Sequence, residues 1–551
     1  MQTLESVKVN GHSLTIEEVV SVARSHAKVE IDAESFENLA NLRAGLEACI
    51  KRGDVMYGVN TGCGNRKTIV LPPAELSDYQ MRYIPAHCCG FGPLFDEEVV
   101  RAAMLIRLNS FQRGNSGLRP LISERLRDFL NLGITPCIPR YGSVGASGDL
   151  VPLAHMAEAM LGLPEASVSV REPDGSRTVM PAPDALKRFG LEPIVLQAKE
   201  AMGITNGANF IAAIGCLAVY DARKLLDQAC LATALSLEAI RGETKAFDPR
   251  IHEARPLPGQ IHVAGLVRAF LEGSKRTTEQ ARSVDLEKEP PRVDPAGKTL
   301  PKMPRVQDAY SFRCVPQIFA GAHHALSHVT DILTVEINSS TDNPLLFVAD
   351  GGYQVVSGGN FHGQPLASCL EYLGIAMAPL AGSSDRRLFA MLSSGTSFGL
   401  PADLAGPVDG NTGMMILQYA GAALINKIGH LAAPCSVHSV PTSANQEDWV
   451  SMGMNSALNL REMLPMVRWV LAAEMLGAAQ GIKLTEAQLP FGEYPLGKGT
   501  AVAYDRVSAV FSAKVGTDPD DRFRDRNLSV DVDAVDRLLS GDDLTSEIVG
   551  P

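Results

Sequence analysis

Apolar and small residues recur at helical spacing over most of this chain, and the longest of these stretches are apolar on nearly every face. One stretch begins with Asp96 as an N-cap signal. It continues with Val100, Met104 and Leu108 on one helical face. The same spacing recurs in five longer stretches, which are residues 197–240, 312–338, 362–384, 412–430 and 450–481. Because a helix that is apolar all round must be surrounded by other helices, the pattern predicts a mainly α protein built around a helical bundle.

Strand signals are few and short. Three segments combine β-forming residues with a turn dipeptide: residues 7–16 around Asn10-Gly11, 168–179 around Asp174-Gly175, and 345–356 around Asp350-Gly351. Asn-Gly and Asp-Gly favour the tight turns that connect antiparallel strands. Each segment is therefore predicted to form a small β-hairpin.

The chain has 551 residues and is too long for one small core, since domains typically contain about 100–200 residues. Composition divides it into an N-terminal domain of residues 1–200, a central helical bundle of residues 201–481 and a tail region of residues 482–551. Residues 274–308 are charged and rich in proline and have no apolar period, so they are predicted to form a long loop inserted in the bundle. The tail shows a short helical pattern over residues 532–539.

Composition and charge narrow the class of protein. The chain is 45% hydrophobic and 20% charged, and its net charge is −12, which argues against a nucleic-acid partner because such partners need a basic face. Ten cysteines without a C-x-x-C pair, and an N-terminus without an apolar signal segment, indicate a reduced cytoplasmic protein. Residues 201–220 are long enough to span a bilayer, but Asn206 and Asn209 favour a buried helix and no membrane partner.

The most unusual segment is the glycine-rich run Gly142-Ser-Val-Gly-Ala-Ser-Gly-Asp149. A serine-hydrolase elbow is excluded because Asp149 stands where that motif needs glycine, and a phosphate loop is excluded because no G-K-[ST] follows. The glycines allow the backbone of Ala146-Ser147-Gly148 to bring an amide nitrogen close to a carbonyl carbon.

This tripeptide resembles the one that histidine, phenylalanine and tyrosine ammonia-lyases and aminomutases cyclise into a methylidene-imidazolone. In that family the nitrogen at the Gly148 position attacks the carbonyl at the Ala146 position, and two waters leave as the Ser147 position becomes dehydroalanine. The resemblance continues in segments 57–64, 204–207, 307–313, 358–365 and 441–447. It implies a mainly helical subunit with a long central bundle, a homotetramer whose active sites draw on several subunits, an electrophile made from the chain itself, and no external cofactor or metal.

The resemblance also implies roles for individual residues. Tyr57 corresponds to the base that removes the β-proton of an amino acid substrate. Its pKa near 10 would have to be lowered by helix N-termini or a cation. Arg313 suits a substrate carboxylate, which Tyr310 and Asn206 would also bind. Two further positions match the pocket lining, namely Gln307 and Phe361.

Substrate choice depends on two positions. His87 matches the histidine-type members of the family, although Ala86 replaces their usual serine. Glu447 also matches the histidine type, and the two side chains could each meet one nitrogen of an imidazole ring. Met415 matches a pocket-wall methionine, with core filler as an alternative. The other departures from the family pattern are Cys63, Arg82, Tyr83, Pro85, Phe312 and Trp449.

Several hypotheses stay open on the sequence alone. The favoured one is an ammonia-lyase that converts histidine to urocanate. The alternatives are a 2,3-aminomutase that gives a β-amino acid, a tyrosine-type ammonia-lyase, and a non-enzymatic helical scaffold. His324, His328 and Asp331 share a helical face that could bind a metal, but an ordinary helix face is favoured. Cys88-Cys89 could be redox-active, but free thiols are favoured.

Overall fold

The computed structural model describes residues 4–286, 295–298, 305–406, 410–512, 524–541, 544–545 and 548. Helices dominate these residues and the strands are short, so the prediction of a mainly α protein with small β elements is confirmed. Within the predicted loop 274–308, the described part contains one short helix, Glu279–Ser283. The rest of that prediction, residues 287–294 and 299–304, lies outside the described residues.

The α-helices are α1 (Ile16–Arg24), α2 (Ala33–Arg52), α3 (Leu76–His87), α4 (Glu97–Gln112), α5 (Pro120–Leu132), α6 (Leu150–Leu161), α7 (Ala182–Arg188), α8 (Glu200–Thr205), α9 (Asn209–Ile240), α10 (Pro249–Glu253), α11 (Pro258–Phe270), α12 (Glu279–Ser283), α13 (Tyr310–Arg313), α14 (Val315–Glu336), α15 (Gln364–Leu392), α16 (Met415–Leu431), α17 (Gly453–Leu484), α18 (Lys498–Ser512) and α19 (Leu528–Gly541). Short 3₁₀ turns occur at Gly64–Arg66, Pro73–Glu75, Thr244–Phe247, Ala402–Leu404 and Ser443–Asn445. The predicted helical stretches all contain such helices.

The strands are β1 (Ser6–Val9), β2 (Lys28–Ile31), β3 (Phe91–Leu94), β4 (Ile134–Pro136), β5 (Pro139–Tyr141), β6 (Ser167–Arg171), β7 (Arg177–Pro181), β8 (Leu345–Ala349) and β9 (Gly352–Val356). They form small separate sheets: β1 with β2, β3 with β5, β4 with β6 and β7, and β8 with β9. The hairpins predicted around Asp174-Gly175 and Asp350-Gly351 are confirmed, with Val170 opposite Thr178 and Phe347 opposite Gln354.

The third hairpin, predicted over residues 7–16, is wrong. β1 pairs in parallel with β2 and does not fold back on its own chain. The physical reason is a capping box, in which the Thr15 hydroxyl accepts a hydrogen bond from the Glu18 N–H and the Glu18 carboxylate accepts one from the Thr15 N–H. This box starts α1 where the second strand was expected.

The chain divides into two compact units, each assembled from segments that are distant in sequence. Unit 1 comprises Met1–Tyr220, His328–Glu371 and Pro434–Asn459, and unit 2 comprises Asp221–Ser327, Tyr372–Ala433 and Leu460–Pro551. The three-domain division at residues 200 and 481 stays a prediction, because compactness by itself does not test which parts fold alone.

Unit 1 has α4 at its centre, and nearly every side chain of this helix is buried. Even Arg101 is buried there, where its guanidinium donates to the carbonyls of Val22 and Leu130. Around α4 pack α1 and α5, while α6 packs against α3 and α8. As a result, α6 is fixed in position, and the glycine-rich run ends at Asp149, the N-cap residue directly before α6.

Unit 2 is also organised around buried helices, and it contains a fully buried ion pair. Both Glu474 oxygens accept hydrogen bonds from Arg387, and the Ser236 hydroxyl donates to one of them at 2.6 Å. The Arg387 guanidinium also donates to the carbonyl of Ser311, in α13, at 3.0 Å. A charge pair buried in this way is acceptable because each group is satisfied by hydrogen bonds.

One helix among the described residues, Gln364–Leu392, is long and apolar enough to cross a membrane, and 61% of its most apolar stretch is buried. Residues 201–220, which were predicted to form a buried helix, lie in α8 and α9 and are buried up to Ala218 and Val219. The two helices are separated at Asn206–Ala208. At this break, the Gly207 backbone hydrogen-bonds to Ser147 and Asp149 in the glycine-rich run.

Candidate active site

The Ala146-Ser147-Gly148 backbone is held in a strained shape between two loops of unit 1. Ser147 has a φ of +50° and Gly148 has a φ of +74°. Residues other than glycine rarely adopt this backbone conformation, so it is strained at Ser147. The Gly207 N–H donates to the Ser147 carbonyl at 3.0 Å, and the Asp149 N–H donates to the Gly207 carbonyl at 2.8 Å. The interruption between α8 and α9 therefore supplies the backbone that fixes the tripeptide.

Two glycines are required here for space as well as for conformation. A Cβ on Gly148 would lie 2.2 Å from the carbonyl carbon of Gly207, and one on Gly145 would lie 1.9 Å from the Ser451 hydroxyl. The first neighbour is backbone and cannot move aside. The neighbouring atoms therefore lie so close to the backbone of Gly145 and Gly148 that only glycine fits at these two positions.

Behind the tripeptide, Asp149 is fully buried. Its carboxylate accepts hydrogen bonds from the Ile211 N–H at 2.9 Å and the Ser143 hydroxyl at 3.2 Å. Burial raises its pKa to about 7, although these hydrogen bonds act in the opposite direction. The same Ser143 hydroxyl lies 3.3 Å from the Gly148 carbonyl, so Ser143 links Asp149 to the tripeptide.

Ser147 faces a cavity of about 910 Å³ whose lining comes entirely from unit 1. Of the residues predicted from the sequence, the cavity brings together Tyr57, His87, Ser147, Asn206, Phe361 and Glu447. Ala86 also lines it, next to His87. The other lining residues are Val55, Thr61, Cys63, Gly64, Arg66, Lys67, Tyr79, Arg82, Tyr83, Leu150, Met202, Asn343, Ser357, Gly358, Ser443 and Gln446.

Tyr57 is held by the loop that follows it, whose Gly64 N–H donates to the phenol oxygen at 3.0 Å. Burial raises the pKa of Tyr57. Cys63 and Glu447 raise it further, and the bond from Gly64 only partly offsets this. The expectation that helix N-termini or a cation lower this pKa is therefore wrong for the chain by itself, because desolvation dominates.

His87 ends α3 in a fixed orientation. Its ring stacks on the buried Tyr83 ring with centroids 3.8 Å apart, and its Nδ1 lies 2.6 Å from the Tyr83 carbonyl oxygen. Because a carbonyl can only accept, Nδ1 carries the proton, and Nε2 of the neutral ring is an acceptor. Burial lowers the pKa of His87, which favours this neutral form.

Glu447 is presented by an unusual turn. Ser443, Ala444 and Asn445 all have φ between +51° and +64°, and strain of this kind is common at functional sites. Thr442 closes the turn, since its N–H donates to the Glu447 carbonyl at 2.8 Å and its hydroxyl donates to the Glu447 carboxylate at 2.9 Å. Glu447 thus offers a second acceptor to the same cavity.

Four predicted substrate-binding residues are not among the described residues that line this cavity: Gln307, Tyr310, Arg313 and Met415. All four belong to unit 2. Tyr310 is 70% exposed, and the Arg313 guanidinium lies over its ring at 4.5 Å from the centroid. An exposed tyrosine beside an arginine on a one-turn helix has little to pack against within its own chain.

Sequence reasoning missed the part played by an aromatic row on α3. Tyr79, Tyr83 and His87 follow one another at intervals of four residues, so they lie on one helical face. Tyr83 orients His87, and Tyr79 shares a hydrogen bond with the Cys63 thiol across the cavity wall. The spacing was visible in the sequence, where Tyr83 and Cys63 were read only as departures from a family pattern.

The comparisons with known proteins agree over almost the whole chain. The family described as aromatic amino acid lyases matches residues 14–509. A histidine ammonia-lyase from Alkaliphilus oremlandii is 39% identical over 504 residues, which cover 92% of each protein. Among solved structures, a tyrosine aminomutase from Streptomyces globisporus has a TM-score of 0.85 at 34% identity and covers 97% of each chain. Histidine ammonia-lyase from Trypanosoma cruzi has a TM-score of 0.84 at 32% identity and covers 99% of this chain and 95% of that one.

Proposed function

This chain belongs to the aromatic amino acid lyase family and is a carbon–nitrogen lyase, and from this premise we propose that it eliminates ammonia from histidine to give urocanate. One observation carries the choice of histidine: His87 and Glu447, both acceptors, line the same cavity as Tyr57 and Ser147. A similar histidine ammonia-lyase supports the choice independently.

The tripeptide fits the methylidene-imidazolone of this family. There is no room for a Cβ at Gly145 or Gly148, and the hydrogen bonds of Gly207 hold the tripeptide backbone in its turn conformation. Ser147 supplies the β-hydroxyl that must leave. Once formed from Ala146-Ser147-Gly148, the group supplies an electrophile for the substrate amine, and no external cofactor is required.

Tyr57 is the base that takes the β-proton of the substrate. Its raised pKa means that the free site keeps it as a phenol, partly because Glu447 is negatively charged nearby. A cationic substrate ring next to Glu447 cancels that charge. Substrate binding therefore removes one of the contributions that raise the pKa of Tyr57, although burial remains the largest of them.

The ring end of the cavity favours a side chain with two N–H donors. His87 Nε2 accepts because Nδ1 is committed to the Tyr83 carbonyl, and the Glu447 carboxylate accepts as well. A protonated imidazole satisfies both acceptors, a phenol satisfies one and a phenyl ring satisfies neither. Each unpaired group costs about 1–3 kcal/mol, or roughly 5–150-fold in discrimination.

The substrate carboxylate is bound by residues of a neighbouring copy. Tyr310 and Arg313 are exposed or half-buried on α13 and do not line the cavity of their own chain among the described residues. In a homotetramer they reach the cavity of another copy and join Asn206 there. Gln307 and Met415 enter the site in the same way. Arg313 adds a guanidinium to a cavity that Arg66, Lys67 and Arg82 already line.

The first test is chemical. Intact mass should be lower than the sequence mass by two waters, and purified protein given histidine should release urocanate and free ammonia together. Tyrosine and phenylalanine should turn over more slowly. A full-length mass, or a β-amino acid that accumulates from the first turnovers without free ammonia, would contradict the proposal.

The second test addresses the shared site. Tyr57→Phe and Arg313→Gln should each be inactive as homotetramers, because every site then lacks one residue. Co-expression of the two variants should restore part of the activity, since some sites in mixed tetramers receive both wild-type side chains. Mixed tetramers that stay inactive would show that both residues serve one chain's own site.

A further inference from the structure

Three metal-ligating side chains meet beside the cavity, outside the site described above. They are Cys88, His155 and Glu158, and their ligand atoms all lie within 4.8 Å of one another. Cys88 directly follows His87 at the end of α3. His155 and Glu158 are three residues apart on α6, so they project from the same face.

The protons in this cluster can be placed from its hydrogen bonds. The Gly90 N–H donates to His155 Nε2 at 3.1 Å, so the ring proton is on Nδ1, which lies 3.6 Å from a Glu158 oxygen. The Cys88 thiol shares a hydrogen bond with the same carboxylate and lies 3.4 Å from the Ile84 carbonyl. Glu158 is buried, and two donors converge on it.

Two carboxyl groups, those of Glu158 and Glu165, lie near the Cys88 thiol. Burial raises the pKa of this thiol, and Glu158, Cys89 and Glu165 raise it further. Among the described residues, His155 is the basic side chain that lies within 4 Å of the Glu158 carboxylate. A thiol, an imidazole and a buried carboxylate whose ligand atoms lie this close together offer sulfur, nitrogen and oxygen donors to a single divalent cation.

We propose that Cys88, His155 and Glu158 bind one divalent cation of the Zn²⁺ class. Sulfur, nitrogen and oxygen donors together suit this borderline-soft ion, and three protein ligands leave a fourth position for water. Two ligands at about 2.0–2.1 Å in a tetrahedral arrangement are about 3.4 Å apart. The separation of 3.6 Å between His155 Nδ1 and Glu158 needs little adjustment.

Binding balances as follows. The Cys88 thiol loses its proton to solvent, and the His155 proton moves from Nδ1 to Nε2, so one proton is released for each ion bound. The Gly90 N–H then loses its acceptor, and water can replace it because Gly90 is partly exposed. The ion would join the end of α3 to α6, and we expect it to raise the melting temperature.

Cobalt substitution tests the site on the whole protein. The purified enzyme is treated with a chelator, dialysed and titrated with Co²⁺. We expect one ion per chain, with a thiolate-to-cobalt charge-transfer band and the visible bands of a tetrahedral site, and displacement by Zn²⁺. Cys88→Ser should abolish the charge-transfer band, and Glu158→Gln should weaken binding. The neighbouring thiol provides the matched control, since Cys89→Ser should keep both the band and the stoichiometry.

Other results would overturn the proposal. A charge-transfer band that survives Cys88→Ser, or one that is lost equally in Cys89→Ser, would assign the thiolate elsewhere. Binding of Co²⁺ without any thiolate band would show that no cysteine, and hence not Cys88, is a ligand. If Cys88→Ser fails to give a native circular dichroism spectrum, Glu158→Gln and His155→Gln decide the question, because unchanged affinity in both would exclude this cluster.

Discussion

The two ends of the cavity are built by different means. At the tripeptide end, Ser147 is held by backbone hydrogen bonds and by glycines whose missing side chains leave room for neighbouring backbone. At the ring end, His87 and Glu447 are side chains, each oriented by a contact with one nearby residue, Tyr83 or Thr442. The structure of the tripeptide end depends on the path of the backbone, whereas the structure of the ring end depends on which side chains are present.

Because of this difference, we expect the reaction itself to depend on one end of the cavity and the choice of substrate to depend on the other. A backbone cradle tolerates almost no substitution, because a clash with main chain can be relieved only by moving the chain. An acceptor on a side chain can be exchanged while the fold is kept. We therefore expect changes at the tripeptide end to remove the reaction altogether, and changes at the ring end to alter the choice of substrate.

The largest effect should come from adding one methyl group at the tripeptide end. In Gly148→Ala the new Cβ would lie 2.2 Å from the Gly207 carbonyl carbon, at a φ of +74°. We expect loss of the two-water mass deficit and loss of activity by on the order of 10³-fold or more. Mass spectrometry and a histidine turnover assay measure both.

Gly175→Ala is the matched control. Gly175 also has a positive φ, of +85°, but nothing lies within 4 Å of its Cβ position. The control should lose about 1–2 kcal/mol of stability from conformation alone and keep the mass deficit. An active, dehydrated Gly148→Ala enzyme would show that the enclosure is looser than the contacts indicate.

Tyr57→Phe should separate the formation of the electrophile from its use. The substitution removes the phenol hydroxyl and leaves the tripeptide untouched, so the mass deficit should persist. Activity should fall by about 10²–10⁴-fold, the range typical of a lost general base. Tyr141→Phe, at an exposed tyrosine on β5, should behave as wild type. A fully active Tyr57→Phe enzyme would assign the base elsewhere.

The fold was largely predictable where local signals and tertiary structure agree. The Asp-Gly hairpins and the long helices are examples. The segment after Asn10-Gly11 was misread because the capping box of Thr15 and Glu18 was present in the sequence but was outweighed by the turn dipeptide. At the tripeptide end, the glycine spacing indicated a close approach of the backbone, and the resemblance to a family motif indicated the chemistry.

The ring end was predictable only in part. His87 and Glu447 were found by type and position, but the proton on His87 Nδ1 depends on the Tyr83 carbonyl, which no sequence pattern specifies. The expected lowering of the Tyr57 pKa does not hold within one chain, because burial, a property of the folded chain, raises it. The role proposed for Arg313 requires a second copy of the chain, and composition does not reveal which surfaces such copies share.

Glu447→Gln should weaken the ring end without damaging the tripeptide end. The loss of a charged acceptor should lower kcat/KM for histidine by roughly 5–150-fold and change the value for phenylalanine much less. Asp448→Asn, at the exposed neighbouring carboxylate, should have little effect. Kinetics on both substrates measure the ratio. An equal loss on histidine and phenylalanine would mean that Glu447 supports the fold of its turn and does not select the ring.

The smallest expected effect concerns the carboxyl groups behind the tripeptide end. Burial, together with the charge of Asp149, raises the pKa of Glu336 from 4.5 to about 7. A carboxyl whose pKa is higher in the folded state stabilises the protein below its unfolded pKa, and this stabilisation is lost as pH rises through the folded pKa. Glu336→Gln mimics the protonated form. Its melting temperature should therefore rise relative to wild type between about pH 4.5 and pH 7.

Glu172→Gln provides the control of opposite sign. Arg188 lowers the pKa of Glu172 to about 2, so the contribution of this ionised pair is already complete by about pH 5 and changes little above it. Melting curves of the three proteins at several pH values separate the cases, because the difference for Glu336→Gln should grow with pH while that for Glu172→Gln stays level. A level difference for Glu336→Gln as well would mean that water reaches Glu336, and that the tripeptide end is less thoroughly desolvated than its backbone contacts indicate.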